Sequence, residues 1–134
     1  MQTFLPYKSF ARTARVLDYR RLGKQRVEAM QILKALRDPS YGWQSHPAVN
    51  QWRGYINALK YYHNIIIEEW CRRGYCNNMR LEPVRGRLVY PPWLGLRKYH
   101  LSHRANLLRK DPKYYSQFNW RVDPSTPYYW PKGE

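Results

Sequence analysis

One stripe of apolar residues constrains this chain more than anything else in it. In "SHPAVNQWRGYINALKYYHNIIIEEWCRRGY" the residues Val49, Trp52, Ile56, Leu59, His63, Ile66 and Trp70 step by three and four without a miss. That spacing lines one face of a helix. It predicts a continuous helix of about six turns, opened by Pro47 and closed by Gly74. Other helices must cover so long a stripe. Ser9 reads as an N-cap, with Phe10, Ala14 and Leu17 behind it at helical spacing. Leu22, Val27, Met30, Leu33 and Leu36 continue an apolar side, with Gly23 as a break or bend. "RDPSYGW" ends that run at Pro39 and Gly42.

Beyond the stripe, Pro83, Gly86, Pro91, Pro92 and Gly95 punctuate a long connection from Cys76 to Tyr99, with "RGRLVY" as a short extended piece. "SHRANLLRK" reads as a shorter helix with Ala105 and Leu108 inward, and "DPKYYSQF" as an Asp-capped helical turn. The tail "NWRVDPSTPYYWPKGE" is expected to lay Tyr128, Tyr129 and Trp130 across the helices, because so much aromatic area is rarely left in water. The expected class is all-α: one compact domain over 1–134, of about three to five helices, with a long ordered Pro/Gly loop and an aromatic C-terminal tail.

Charge narrows the function. Lys and Arg number 24 against 9 Asp and Glu, a net +15. They run from Lys8 to Lys132 rather than forming a tail, so they decorate a folded surface. The partner this implies is a polyanion, nucleic acid first. A lipid-docking protein needs an amphipathic helix with a free apolar face, whereas these helices read as core-packed. No run of 18 apolar residues is present to span a membrane. "MQTFLPYKSF" lacks the pattern of a secretory leader. With only Cys71 and Cys76, a reducing intracellular setting is expected, cytoplasmic or nucleoid-associated.

"RLGKQRVEAM" puts Arg21, Lys24, Gln25 and Glu28 at offsets of three, four and seven, on one helix face. The bland reading is a wet surface with a Lys24–Glu28 pair. The functional reading has Arg20, Arg21 and Lys24 gripping phosphates. Glu28, kept ionised by them, then acts as acid, base or stabiliser of a cation. His46, His100 and His103 divide likewise between capping and contact with phosphate or base beside Arg104. His63, on the stripe, reads as a satisfied core histidine. Zinc held by Cys71, Cys76, His100 and His103 is disfavoured, since the cysteine spacing is loose and His-x-x-His is short. No metal or cofactor is expected. A few exposed rings among the arginines could stack on unpaired bases.

Taken in order, "MQTFLPY", "LDYRRLGKQRVEA", "HPAVNQW…EEWCRRGY", "SHRANLLRKDPKYY" and the aromatic tail resemble the pyrimidine-dimer DNA glycosylases of the phage endonuclease V type. The resemblance implies an all-α domain whose N-terminus threads between helices. It also implies a metal-free glycosylase and abasic-site lyase, in which the first residue's α-amine attacks C1′ of a damaged nucleotide and forms an imine. Here Gln2 is large enough to keep Met1 in place, so Met1 would carry the amine. An α-amine ordinarily titrates near ~7.7–8.0, far below a lysine, so a neutral nucleophile is within reach.

The family's catalytic Glu follows an Arg in this helix. Aligning on Tyr19-Arg20 puts Arg21 there and leaves the role to Glu28, about two turns on. Arg20 and Lys24 then match two DNA-contacting arginines of the family; with the residues read above, the expected DNA contacts are Gln2, Arg20, Arg21, Lys24, Gln25, His46, His100, His103 and Arg104. The substrate would be duplex DNA with a damaged or modified pyrimidine, bound by a monomer. The rival is a non-catalytic basic nucleic-acid-binding module.

Overall fold

The computed structural model describes residues 1–131. The order is α1 (Phe10–Val16), α2 (Tyr19–Arg37), α3 (Pro47–Asn50), α4 (Ile56–Arg72), α5 (Arg97–Lys110) and α6 (Pro112–Tyr115), which runs into a 3₁₀ turn at Ser116–Phe118. Among the described residues there is no strand, and "RGRLVY" is irregular. Helices α2 and α4 pack along their lengths, and α1 lies against α4. Leu22, Ile32 and Leu33 of α2 meet Leu59, Tyr62 and Ile66 of α4 in the core, with Trp52, Trp93 and Leu107. Each wholly buried Leu or Ile contributes about 1.5–3 kcal/mol.

The long helix over 47–74 is two helices. A tight turn intervenes: the Tyr55 amide bonds the Trp52 carbonyl and Gly54 takes a φ of +87°. Glycine adopts that left-handed backbone at little cost. The turn frees the Gln51 carbonyl for the Trp93 indole, at 2.8 Å. The apolar stripe survives the interruption, with Val49, Trp52, Leu59 and Ile66 buried.

Gly23 does not break α2. The chain breaks earlier, at Leu17, and restarts at Asp18, whose side chain caps the Arg21 amide. Helix α5 begins at Arg97, ahead of the expected Ser102. In the tail, Tyr128 packs against His103, the Tyr129 amide bonds Ser102 Oγ, and Trp130 reaches His46.

The first residues thread between the helices, as the resemblance implies. Gln2 to Tyr7 are all buried, although none of them is helical. An extended segment inside a helical core must find outside partners for its backbone, and those partners build the site.

Candidate active site

Side chains from several helices satisfy the buried leader. Gln25 of α2 is wholly enclosed. Its Oε1 accepts from the Phe4 amide at 3.1 Å and lies 2.7 Å from the Tyr62 hydroxyl. Its Nε2 donates to the Gln2 carbonyl at 2.9 Å and to Glu28 Oε2 at 2.7 Å. Two histidines of α5 clamp Leu5. The Leu5 amide donates to His103 Nδ1 at 3.0 Å, and the Leu5 carbonyl lies 2.8 Å from His100 Nδ1. His100 Nε2 accepts from the Gly95 amide, so Nδ1 carries its proton and donates to Leu5. Thr3 Oγ1 accepts from Gln51 Nε2 and the Trp52 indole, at 3.1 and 3.0 Å. Arg104 Nε donates to the Pro6 carbonyl at 2.7 Å.

The leader ends in a cleft of about 360 Å³ whose lining includes Met1, Gln2, Arg20, Arg21, Lys24 and Glu28, together with Lys110 and Tyr128. The Met1 nitrogen is 4.0 Å from Glu28 Oε1, and the two side chains are only 5 % and 12 % exposed. Burial pushes the Glu28 carboxyl above its usual range. The amino terminus, Lys24, Lys110 and a bond from the Gln2 backbone pull the other way. The Lys24–Glu28 pair of the bland reading is replaced: Glu28 faces the amine and Gln25, and Lys24 acts on it through its charge. The expectation that the cations keep Glu28 ionised is also corrected, because burial outweighs them and favours the protonated form. Arg21 is partly committed, its Nη1 lying 3.1 Å from Asp18 Oδ1. Arg20 is exposed beside Tyr19.

The structure thus brings together Met1, Gln2, Arg20, Arg21, Lys24, Gln25 and Glu28. His100, His103 and Arg104 it puts elsewhere, along the buried leader. His103 is wholly enclosed, and burial followed by the neighbouring His100 lowers it to about 3. Burial lowers His100 as well. His46 caps α3 through Nδ1 to the Ala48 amide, outside the cleft lining, and is lowered by burial and by the amino terminus's charge. His63 sits in the core as expected, though its Nε2 lacks a hydrogen-bond partner.

Sequence reasoning missed Lys110 and Tyr128, which reach the cleft from the end of α5 and from the tail. It also missed the bolting role of Gln25, whose only signal was its place between Arg21 and Glu28. A larger groove of about 670 Å³, lined by Lys8, Arg12, Tyr61 and Tyr90 among others, holds neither the amine nor a carboxylate.

Neither the curated proteins nor the solved structures compared with this chain give a match. A family model described as pyrimidine dimer DNA glycosylase matches residues 1–83, a span holding the leader, α2 and α4. The chain belongs to that family of DNA repair glycosylases, whose substrate is DNA.

Proposed function

We propose that this glycosylase releases a damaged or modified pyrimidine through its own amino terminus and then cuts the strand as an abasic-site lyase. The neutral Met1 nitrogen attacks C1′, and the glycosidic bond breaks with its electrons leaving on the base. The nitrogen gives up a proton, the C1′–O4′ bond opens with its electrons and a proton going to O4′ as a hydroxyl, and the product is a protonated imine; loss of a C2′ proton from it then expels the 3′ phosphate. Glu28 stabilises the positive charge developing on the sugar and carries protons between steps. Arg20, Arg21, Lys24 and Lys110 hold the phosphates of a duplex. The target nucleotide leaves the stack to expose C1′, at lower cost where a lesion has weakened pairing. Gln25, His100, His103 and Arg104 hold the leader rather than the DNA.

One juxtaposition carries the reading: a terminal amine and a largely buried carboxylate 4.0 Å apart in a cleft whose other charged side chains, Arg20, Arg21, Lys24 and Lys110, are all cations. The test is borohydride reduction in the presence of abasic-site DNA. A stable protein–DNA adduct is expected from wild type, and much less from Glu28→Gln or from protein acetylated at its α-amine. Salt-sensitive binding with no adduct under any condition would favour the non-catalytic binding module instead.

A further inference from the structure

Next to the cleft, four side chains form a column. Arg26 lies 4.3 Å over the Trp70 ring, Trp70 stacks on Tyr75 at 4.4 Å, and Tyr75 meets Tyr19 at 6.1 Å with a tilt of 31°. The sequence builds this locally. Tyr19, Gly23 and Arg26 fall on one face of α2. Gly23 leaves room for the indole, since a Cβ there would stand 2.8 Å from a Trp70 ring carbon. Gly74, with a φ of +89°, turns the chain at the end of α4 so that Tyr75 folds back over Trp70. The Trp70 indole is tied to the Cys76 carbonyl at 2.7 Å, and Arg26 to Asn77 Oδ1 at 2.8 Å. The inner, partly buried end of the column is therefore fixed.

Its outer end reaches solvent, with the exposed Arg20 guanidinium near the Tyr19 ring, 5.7 Å from its centroid. Tyr19 is 50 % exposed and Tyr75 41 %. Tyr19 adjoins Arg20, a lining residue of the cleft, whose Nε donates to the Tyr19 hydroxyl at 3.1 Å. A preorganised ring with a cation beside it, at the rim of a cationic cleft, suits a nucleobase face followed by its phosphate.

The geometry points to Tyr19 as a base-stacking subsite that covers the face of the base flanking the everted nucleotide. The inference rests on the reading that a nucleotide leaves the duplex at this cleft. Eversion strips its neighbour of a stacking partner, and an aromatic ring held at the rim replaces it.

The test avoids the imine step. The probe is a duplex carrying a tetrahydrofuran abasic analogue, which cannot form an imine, with 2-aminopurine as the flanking base. Wild type should quench the 2-aminopurine on binding. Tyr19→Ala should abolish the quenching and weaken binding to this duplex about tenfold, with less than a twofold change for a fully paired duplex. Tyr19→Phe and Tyr19→Trp should behave as wild type. Tyr75→Ala, which removes the support beneath Tyr19, should lose part of the quenching. An unquenched wild-type complex, equal weakening on both duplexes, or a Tyr19→Phe loss matching Tyr19→Ala would overturn the subsite. Failure of borohydride trapping on true abasic DNA is a separate result and bears on the amine alone.

Discussion

Replacing Gln25 with Leu should unbolt the leader. The substitution keeps approximate volume and removes an amide with no exposed surface and contacts to four groups: the Phe4 amide, the Gln2 carbonyl, Glu28 Oε2 and the Tyr62 hydroxyl. Two of these keep other partners. The Tyr62 hydroxyl lies 2.8 Å from the Phe4 carbonyl, and Glu28 borders the open cleft. The Phe4 amide and the Gln2 carbonyl belong to buried residues and lose the partner Gln25 provides. A buried polar group left unsatisfied costs about 1–3 kcal/mol, so the pair predicts a loss of about 2–6 kcal/mol. Urea unfolding of Gln25→Leu should show the midpoint falling with an unchanged slope. The double mutant Gln25→Leu/Glu28→Gln should be less destabilised than the sum of the singles, because the two share a hydrogen bond. Adduct formation on abasic DNA should fall with it, since the Met1 nitrogen loses its register against Glu28. A loss below about 1 kcal/mol with trapping intact would refute the buried-leader geometry.

Other consequences follow from single residues. Gly23→Ala gains about 1 kcal/mol of helix propensity but pushes into Trp70, so denaturant unfolding should show a net loss of up to about 2 kcal/mol; a stabilised variant contradicts the packing. His103 is held neutral in the fold and binds a proton on unfolding. Its contribution is full above about pH 6.5 and should fade by about 1.4 kcal/mol per pH unit as pH drops toward 3, a slope that His103→Asn removes. Glu28 titrates the opposite way. Its carboxyl is raised by burial, so its charging costs stability as pH rises from the ordinary carboxylate range through the raised value. The wild-type minus Glu28→Gln difference in unfolding free energy should fall over that window. Lys24→Ala and Lys110→Ala should each lower the salt-dependence slope of DNA binding by about one unit if they neutralise phosphates.

Much of this was legible in the sequence because it depends on local periodicity. The stripe from Val49 to Trp70 marks the core side of α3, the turn after it and α4, and the offsets of Arg21, Lys24, Gln25 and Glu28 mark the α2 face that lines the cleft. The interruption at Gly54 was hidden because the stripe continues across the turn. Gly23 looked like a breaker because propensity cannot see Trp70, a partner from another helix. The histidines show the same limit on the site side. A sequence shows that His100 and His103 share a helical segment, but not that an extended leader runs beneath it and takes both rings. Lys110 and Tyr128 join the cleft only through tertiary packing, which no spacing rule encodes.

The central claim is that the chain's own first nitrogen does the chemistry. After borohydride trapping on abasic-site DNA, digestion with trypsin leaves the leader as a peptide ending at Lys8. Mass spectrometry should find the reduced sugar remnant on that peptide, on the Met1 nitrogen. A remnant on a lysine side chain such as Lys24 or Lys110, with the Met1 nitrogen unmodified, would contradict the account.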